Sequence, residues 1–144
     1  MAALGLAALL GGCAEDVAAH FDASKPLFDG GYSAESSPDE QGGKGVISIT
    51  VAGGRIAAVQ FHGVNADGSV KDESYGTDSS GNVFNQEYYA KAQFAVAAFD
   101  TYALELLEVG NPTEVDVIAG ATWAYEQFLE AAIAALEQAQ AGLS

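Results

Sequence analysis

Val46-Ile47-Ser48-Ile49-Thr50-Val51-Ala52-Gly53-Gly54-Arg55-Ile56-Ala57-Ala58-Val59-Gln60-Phe61 reads as two strands around a Gly-Gly turn. Polar and apolar residues alternate through arms rich in β-branched residues, and adjacent glycines suit a tight reversal. The strands are expected over 46–51 and 56–64. Register decides whether they present one apolar face. A strict two-residue loop at Gly53-Gly54 sets Val51 opposite Ile56 and Ile47 opposite Gln60, which mixes polar and apolar residues on both faces. A three-residue loop with Gly54 in the left-handed conformation shifts the pairing by one. Ile47 and Ile49 then share a face with Ala57, Val59 and Phe61, while Ser48, Thr50, Ala58 and Gln60 turn away. The second register gives a coherent buried face and is the one expected.

Outward from this hairpin, Asp29-Gly30-Gly31-Tyr32 is a turn entering an extended segment over 32–36, and 37–43 is polar and turn-rich. Asn65-Ala66-Asp67-Gly68-Ser69 is a further turn, and the polar stretch through Asn82 should be a long exposed loop. From 86 to 109 the pattern becomes helical, with Tyr89, Ala92, Val96, Phe99, Ala103 and Leu106 at spacings of three and four. Gly110-Asn111-Pro112 ends it. Its length leaves a break near Asp100-Thr101 open as an alternative. A short strand is expected over 115–118. A last helix should run over 122–140, burying Tyr125, Leu129, Ala132, Leu136 and Ala139, with Gly142 closing it. The expected fold is α+β: a small twisted antiparallel sheet packed against two main helices.

The length of 144 residues allows one domain with a real core. Twenty acidic against five basic residues give a net charge of -15, which repels nucleic acid and anionic headgroups and excludes them as electrostatic partners. A single cysteine excludes an internal disulfide framework and a cysteine-based zinc site. Its context is informative. An apolar or glycine-rich run leads into Leu10-Gly11-Gly12-Cys13, which looks like a bacterial lipobox, although no Lys or Arg precedes it. The run suits a signal-peptide core and is too short to span a bilayer. The expected division is therefore a lipoprotein signal peptide over 1–12, a tether over 13–27 starting at lipidated Cys13, and a folded domain over 28–144. Lipidation would hold that domain on the outer face of the cytoplasmic membrane.

Asp116-Val117-Ile118-Ala119-Gly120-Ala121-Thr122 stands at the mouth of the last helix. Helix N-termini carry unpaired N–H groups and a positive dipole end, which favour a phosphate. Gly120 and Ala121 keep backbone approach open. Taken by position alone, Thr122 is an N-capping residue worth about 1 kcal/mol.

This string resembles the attachment motif of the FMN-binding domain family. Further similarity lies in Asp29-Gly30-Gly31-Tyr32, in the Ile49–Ile56 hairpin, and in Val64-Asn65-Ala66-Asp67-Gly68 with Asp72 and Tyr75. The likeness covers roughly 28–136 and points to extracytoplasmic electron-transfer lipoproteins of that family. It implies that a flavin transferase attaches FMN by phosphoester to Thr122, with Asp116, Gly120 and Ala121 as recognition and phosphate-neighbour positions. It implies an electron carrier between membrane redox donors and external electron acceptors, with the redox chemistry supplied by the cofactor, rather than a substrate-converting enzyme. Ala119 departs from the family's usual Ser or Thr, and Trp123-Ala124-Tyr125 from the small hydroxyl residues that often follow. Those departures motivate the alternative, a flavin-free binding or interaction lipoprotein that keeps the fold. Trp123 and Tyr125 are read either as partners for an isoalloxazine ring or as packing residues.

Other positions carry less. His20 and His62 lack a second ligand at metal spacing, so no metal site is expected. Asp78-Ser79-Ser80-Gly81-Asn82 has its glycine out of place for a calcium loop. A reductase binding FMN non-covalently ranks last, because no nicotinamide fingerprint or acid–base pair is present.

Overall fold

A computed structural model describes residues 18–143; the expected leader and Cys13 lie outside the described residues. Three strands, β1 (Gly30–Glu35), β2 (Lys44–Ala52) and β3 (Arg55–Val64), form an antiparallel sheet in the order β1-β2-β3. Two helices, α1 (Gln86–Val109) and α2 (Thr122–Ala141), cover one face, with a single 3-10 turn at Pro112–Glu114 between them. The architecture is the α+β arrangement expected. α1 lies on β3, and α2 lies across β1 and β2.

The β2–β3 hairpin combines features of both registers. Its loop has two residues, Gly53 and Gly54, at φ 64° and 75°, leaving Val51 opposite Ile56. This positive-φ pair is the two-residue geometry that glycine permits without strain. The register then shifts between Thr50 and Val51, so that Ile49 faces Val59 and Ile47 faces Phe61. A bulge at Ala57, rather than the expected three-residue loop, therefore produces the coherent face. The bulge also exchanges two neighbours: Ile56 packs against the core while Ala57 is exposed.

α1 begins where the Asn85 side chain accepts a hydrogen bond from Tyr88 N–H at 3.0 Å. It ends at Gly110, which is left-handed at φ 76° and donates its N–H to Leu106 O. The helix runs unbroken through Asp100-Thr101, the Thr101 hydroxyl bonding back to Ala97 O at 3.2 Å. Its buried set includes Ala98 and Tyr102, which the expected stripe omits, whereas Tyr89 and Val96 are only half-buried. α2 buries a much wider face than expected, with Phe128 and Ile133 fully enclosed and Ala131, Ala132, Ala135 and Ala139 packed in the interior. Small side chains let that helix lie close on the sheet. Tyr125, expected in the stripe, is half-buried.

Aromatic rings fill the centre. Phe61 meets Phe99 at 4.8 Å and Phe128 at 5.6 Å, and Tyr102 stacks on Phe128 at 5.4 Å. The strand expected over 115–118 does not form. Tyrosine hydroxyls take its backbone groups instead: Tyr102 accepts from Ile118 N–H, and Tyr125 donates to Val115 O. The long loop after β3 is held by Asx turns at Asp67, Asp72 and Asp78, and Gln93 on α1 donates to Asp72 O and Tyr75 O.

Candidate functional site

The segment leading into α2 is a built loop. Val115 is fully buried, Asp116 and Val117 turn outward, and Ile118 packs against the core. Ala121 N–H donates to Ile118 O at 2.9 Å, closing a turn over 118–121. Gly120 sits at the third position of that turn with φ 86°, a conformation that side-chain-bearing residues rarely adopt. A Cβ there would also stand 3.3 Å from the Phe94 ring. Gly120 thus has a local conformational reason as well as proximity to the helix end.

Tyr102 locks the same turn from beneath. Its hydroxyl accepts from Ile118 N–H at 2.9 Å and donates to Ala121 O at 3.1 Å. Burial raises the Tyr102 phenol above its ordinary range, partly opposed by the bond from Ile118. Tyr125, bonded to Val115 O at 2.8 Å, is also raised, chiefly by burial and further by the Asp116 carboxylate.

Helix α2 begins at Thr122, so Thr122 is the first helical residue and not its cap. Ala121 occupies the cap position, buried, with no side-chain hydrogen bond to the helix. The N–H groups of Thr122, Trp123 and Ala124 precede the first α-helical bond, from Tyr125 N–H to Ala121 O at 3.0 Å. The first turn holds no acidic residue. Thr122 is exposed. The turn therefore brings Gly120, Ala121 and Thr122 together at the helix mouth, while Asp116 stands apart, alongside Tyr125.

Trp123, 62% exposed, walls a cleft of about 330 Å³ between α2 and the loop that follows β1. Asp39, Glu40, Glu126 and Glu130 line it, together with Ser37, Pro38 and Gln127. The loop is fixed in place. Ser37 donates to the Glu130 carboxylate from its backbone N–H at 2.8 Å and from its hydroxyl at 2.6 Å. Asp39 accepts from Gln41 N–H and Gly43 N–H, and Gly45 N–H donates to Ser36 Oγ. The stretch over 37–43 read only as turn-rich in sequence. Its contact with Glu130 spans 93 residues, a separation at which local patterning carries no information.

These groups fit an FMN unequally. The uncapped N–H groups and the exposed Thr122 hydroxyl suit a phosphate. The cleft beside Trp123 is lined by four carboxylates, a sign opposite to that which holds an anion. Among the described residues no three His, Cys, Asp or Glu side chains converge as metal ligands, and no helix is long and apolar enough to cross a membrane. His62 lies half-buried on the sheet and His20 is exposed.

No family model matches the sequence. The chain is 32% identical over 142 residues to the 15 kDa lipoprotein of Treponema pallidum (strain Nichols), an alignment covering 97% of this chain and 89% of that protein. The crystal structure of the CPE2226 protein from Clostridium perfringens superposes with a TM-score of 0.63 at 25% identity, covering 81% of this chain and 91% of that one. A solution structure from Clostridium thermocellum gives a TM-score of 0.43 at 28% identity, over 77% of this chain and 91% of its own. The extent and identity of the treponemal match place the chain in a family: it belongs with the 15 kDa lipoprotein.

Proposed function

We propose that this chain is a lipid-anchored extracytoplasmic binding protein, held at the outer face of a membrane by acyl chains on Cys13 and working without flavin. The observation that carries the anchor is the span of the treponemal match. It leaves out 3% of 144 residues, about four, so Cys13 falls inside the aligned length whichever end is trimmed. The relative's name describes a lipoprotein, and Leu10-Gly11-Gly12-Cys13 supplies the residue types that lipidation requires. A binding role is supported by the preformed cleft beside Trp123 and by its carboxylate lining, which suits a cationic group better than a flavin phosphate.

Expression in a bacterial host fed an alkyne-bearing fatty acid tests the anchor. The full chain should take up label and partition into the Triton X-114 detergent phase, and Cys13→Ala should do neither. Unlabelled protein in the aqueous phase would overturn the anchor.

A second reading has one observation in its favour. The Thr122 hydroxyl stands exposed beside Gly120 at a helix mouth that Ala121 leaves uncapped, where a phosphoester would find free N–H donors. On that reading Thr122 carries FMN and the domain relays electrons between membrane donors and external acceptors. Co-expression with a flavin transferase separates the two. Under the flavin-free reading the SDS-denatured band is dark and the intact mass lacks FMN. Flavin fluorescence retained on the band, and lost in Thr122→Ala, would replace binding by electron transfer.

A further inference from the structure

We propose that the cleft beside Trp123 docks an extended basic segment of a partner protein, with Trp123 covering the segment and the surrounding carboxylates pairing with its Lys or Arg side chains. The inference rests on reading the chain as a binding protein. Shape comes first. The cleft walled by Pro38 and Trp123 meets a second one, also about 330 Å³, that runs along Asn65, Asp67 and Tyr75. Asp39 lines both, so the two clefts adjoin at that residue, and a chain laid across this divided depression would reach both where a compact ligand would fill one. The junction is preformed: Asp39 is fixed by Gly43 N–H at 2.8 Å, and the loop is fastened to α2 through Ser37 and Glu130. An occupant would bind without having to order the wall, which lowers the entropic cost of association.

Charge selects the occupant. Asp39, Glu40, Asp67, Glu126 and Glu130 line the depression against one cation, Lys71, whose ammonium lies 4.8 Å from the Tyr75 ring. A large exposed aromatic residue beside such carboxylates suits an arginine- or lysine-bearing chain, through stacking, cation–π contact and ion pairing. A second copy offers little complement, since outside the cleft's own Lys71 and two paired lysines it presents only Lys25 and Arg55. The chain has five basic residues in all, and two of them, Lys44 and Lys91, already pair with Glu35 and Glu87. Each copy also carries a net charge of -15, which opposes self-association and contact with an anionic bilayer alike.

Trp123 is the sole tryptophan, so its emission reports on this depression directly. The full chain, in nonionic detergent, is titrated with a short peptide of alternating Arg and Ala and with its Glu-for-Arg counterpart. Saturable change in Trp123 emission is expected with the first and none with the second. Anisotropy of a dye-labelled peptide then follows variants. Trp123→Ala, and Glu40→Gln with Glu126→Gln, should each weaken binding by about tenfold or more. Asp100→Asn with Glu108→Gln, an equal loss of charge on exposed positions of α1, should leave affinity within about twofold. Equal weakening by the α1 pair would reduce the effect to bulk charge and overturn the proposal. Absence of saturation, equal response to both peptides, or Trp123-dependent self-association in light scattering would overturn it as well. Circular dichroism of each variant confirms folding, which substitution at exposed sites should preserve. Failure here would leave fatty-acid labelling of Cys13 and the flavin assay untouched, so the two readings fail separately.

Discussion

Tyr102 ties the core to the loop that presents Thr122. It is fully buried, and its hydroxyl serves Ile118 N–H and Ala121 O at once. Tyr102→Phe keeps the ring packing on Phe128 but strands a donor that has no ladder to join. A cost of about 1–3 kcal/mol is expected in urea denaturation, because an unsatisfied buried group loses its full solvation. The phenol also gives an alkaline signature. Burial raises the folded pKa of Tyr102 and Tyr125 above 10.0, so both prefer the protonated form when folded. Their contribution is intact below the unfolded value and is lost as pH rises through the folded values. The part of the tyrosinate absorbance that Tyr102→Phe and Tyr125→Phe remove should therefore appear only as circular dichroism is lost, and its appearance before unfolding would contradict this. Thr122 is the opposite case. Exposed, in the first helical position and without a capping role, it should tolerate Thr122→Ala within about 0.5 kcal/mol, measured by the same denaturation.

At the level of elements, the sheet and helices meet through two facing glycines. Gly45 pairs with Gly63 across β2 and β3. A Cβ on Gly45 would lie 2.7 Å from the Phe61 ring, and one on Gly63 would lie 2.7 Å from the Phe99 ring. These rings rest directly on backbone, which lets α1 and α2 approach the sheet. Gly63→Ala should cost about 1–3 kcal/mol by overpacking, and Phe99→Leu in that background should recover part of the loss. Strictly additive penalties in thermal denaturation would show that the contact is not the cause. The elements themselves were legible because their signals are local: strand alternation around Gly53-Gly54, a helical stripe from 86 to 109, and Gly110 and Gly142 as stops. The bulge was less so, because sliding Ala57 out of the ladder reaches nearly the same buried face as a longer loop would, with Ile56 in place of Ala57. Phe128 escaped the stripe because α2 packs against the sheet and α1 together, burying several rows of side chains instead of one. The helix mouth could be located from Gly120 and Thr122, yet the cap at Ala121 and the tyrosine lock depend on contacts formed only in the fold. The acidic cleft joins residues near 39 to residues near 126, and no spacing rule links them.

Over the whole molecule, the charge imbalance sets how stability responds to acid. Four exposed aspartates, Asp22, Asp29, Asp67 and Asp72, are lowered from 3.8. Serine hydroxyls and backbone N–H groups bond to Asp22, Asp67 and Asp72, and the glycine N–H groups of the β2–β3 turn bond to Asp29. Their contribution is present above the unfolded value and disappears as pH falls through the lower folded values. Glu137 acts in the other direction. Partial burial raises it above 4.5, with Lys25 opposing, so the folded state takes up that proton first and gains stability as pH falls toward the unfolded value. Self-repulsion among twenty carboxylates also relaxes as the chain approaches its isoelectric point near 4.1. These effects do not compete over the same range. Between neutral pH and about pH 5 repulsion and Glu137 dominate, while below about pH 4 the aspartate turns are lost. The melting temperature should therefore rise on mild acidification, pass through a maximum on the acid side of neutrality, and fall below the unfolded aspartate value of 3.8. Added salt should raise it at neutral pH by screening and have less effect near the maximum. Glu137→Gln should raise the neutral-pH value and flatten the acid-side gain, because the substituted side chain has no charge to desolvate. Calorimetry across this range provides the check, and a melting temperature that falls steadily from neutral pH would show that the surface aspartates outweigh self-repulsion throughout.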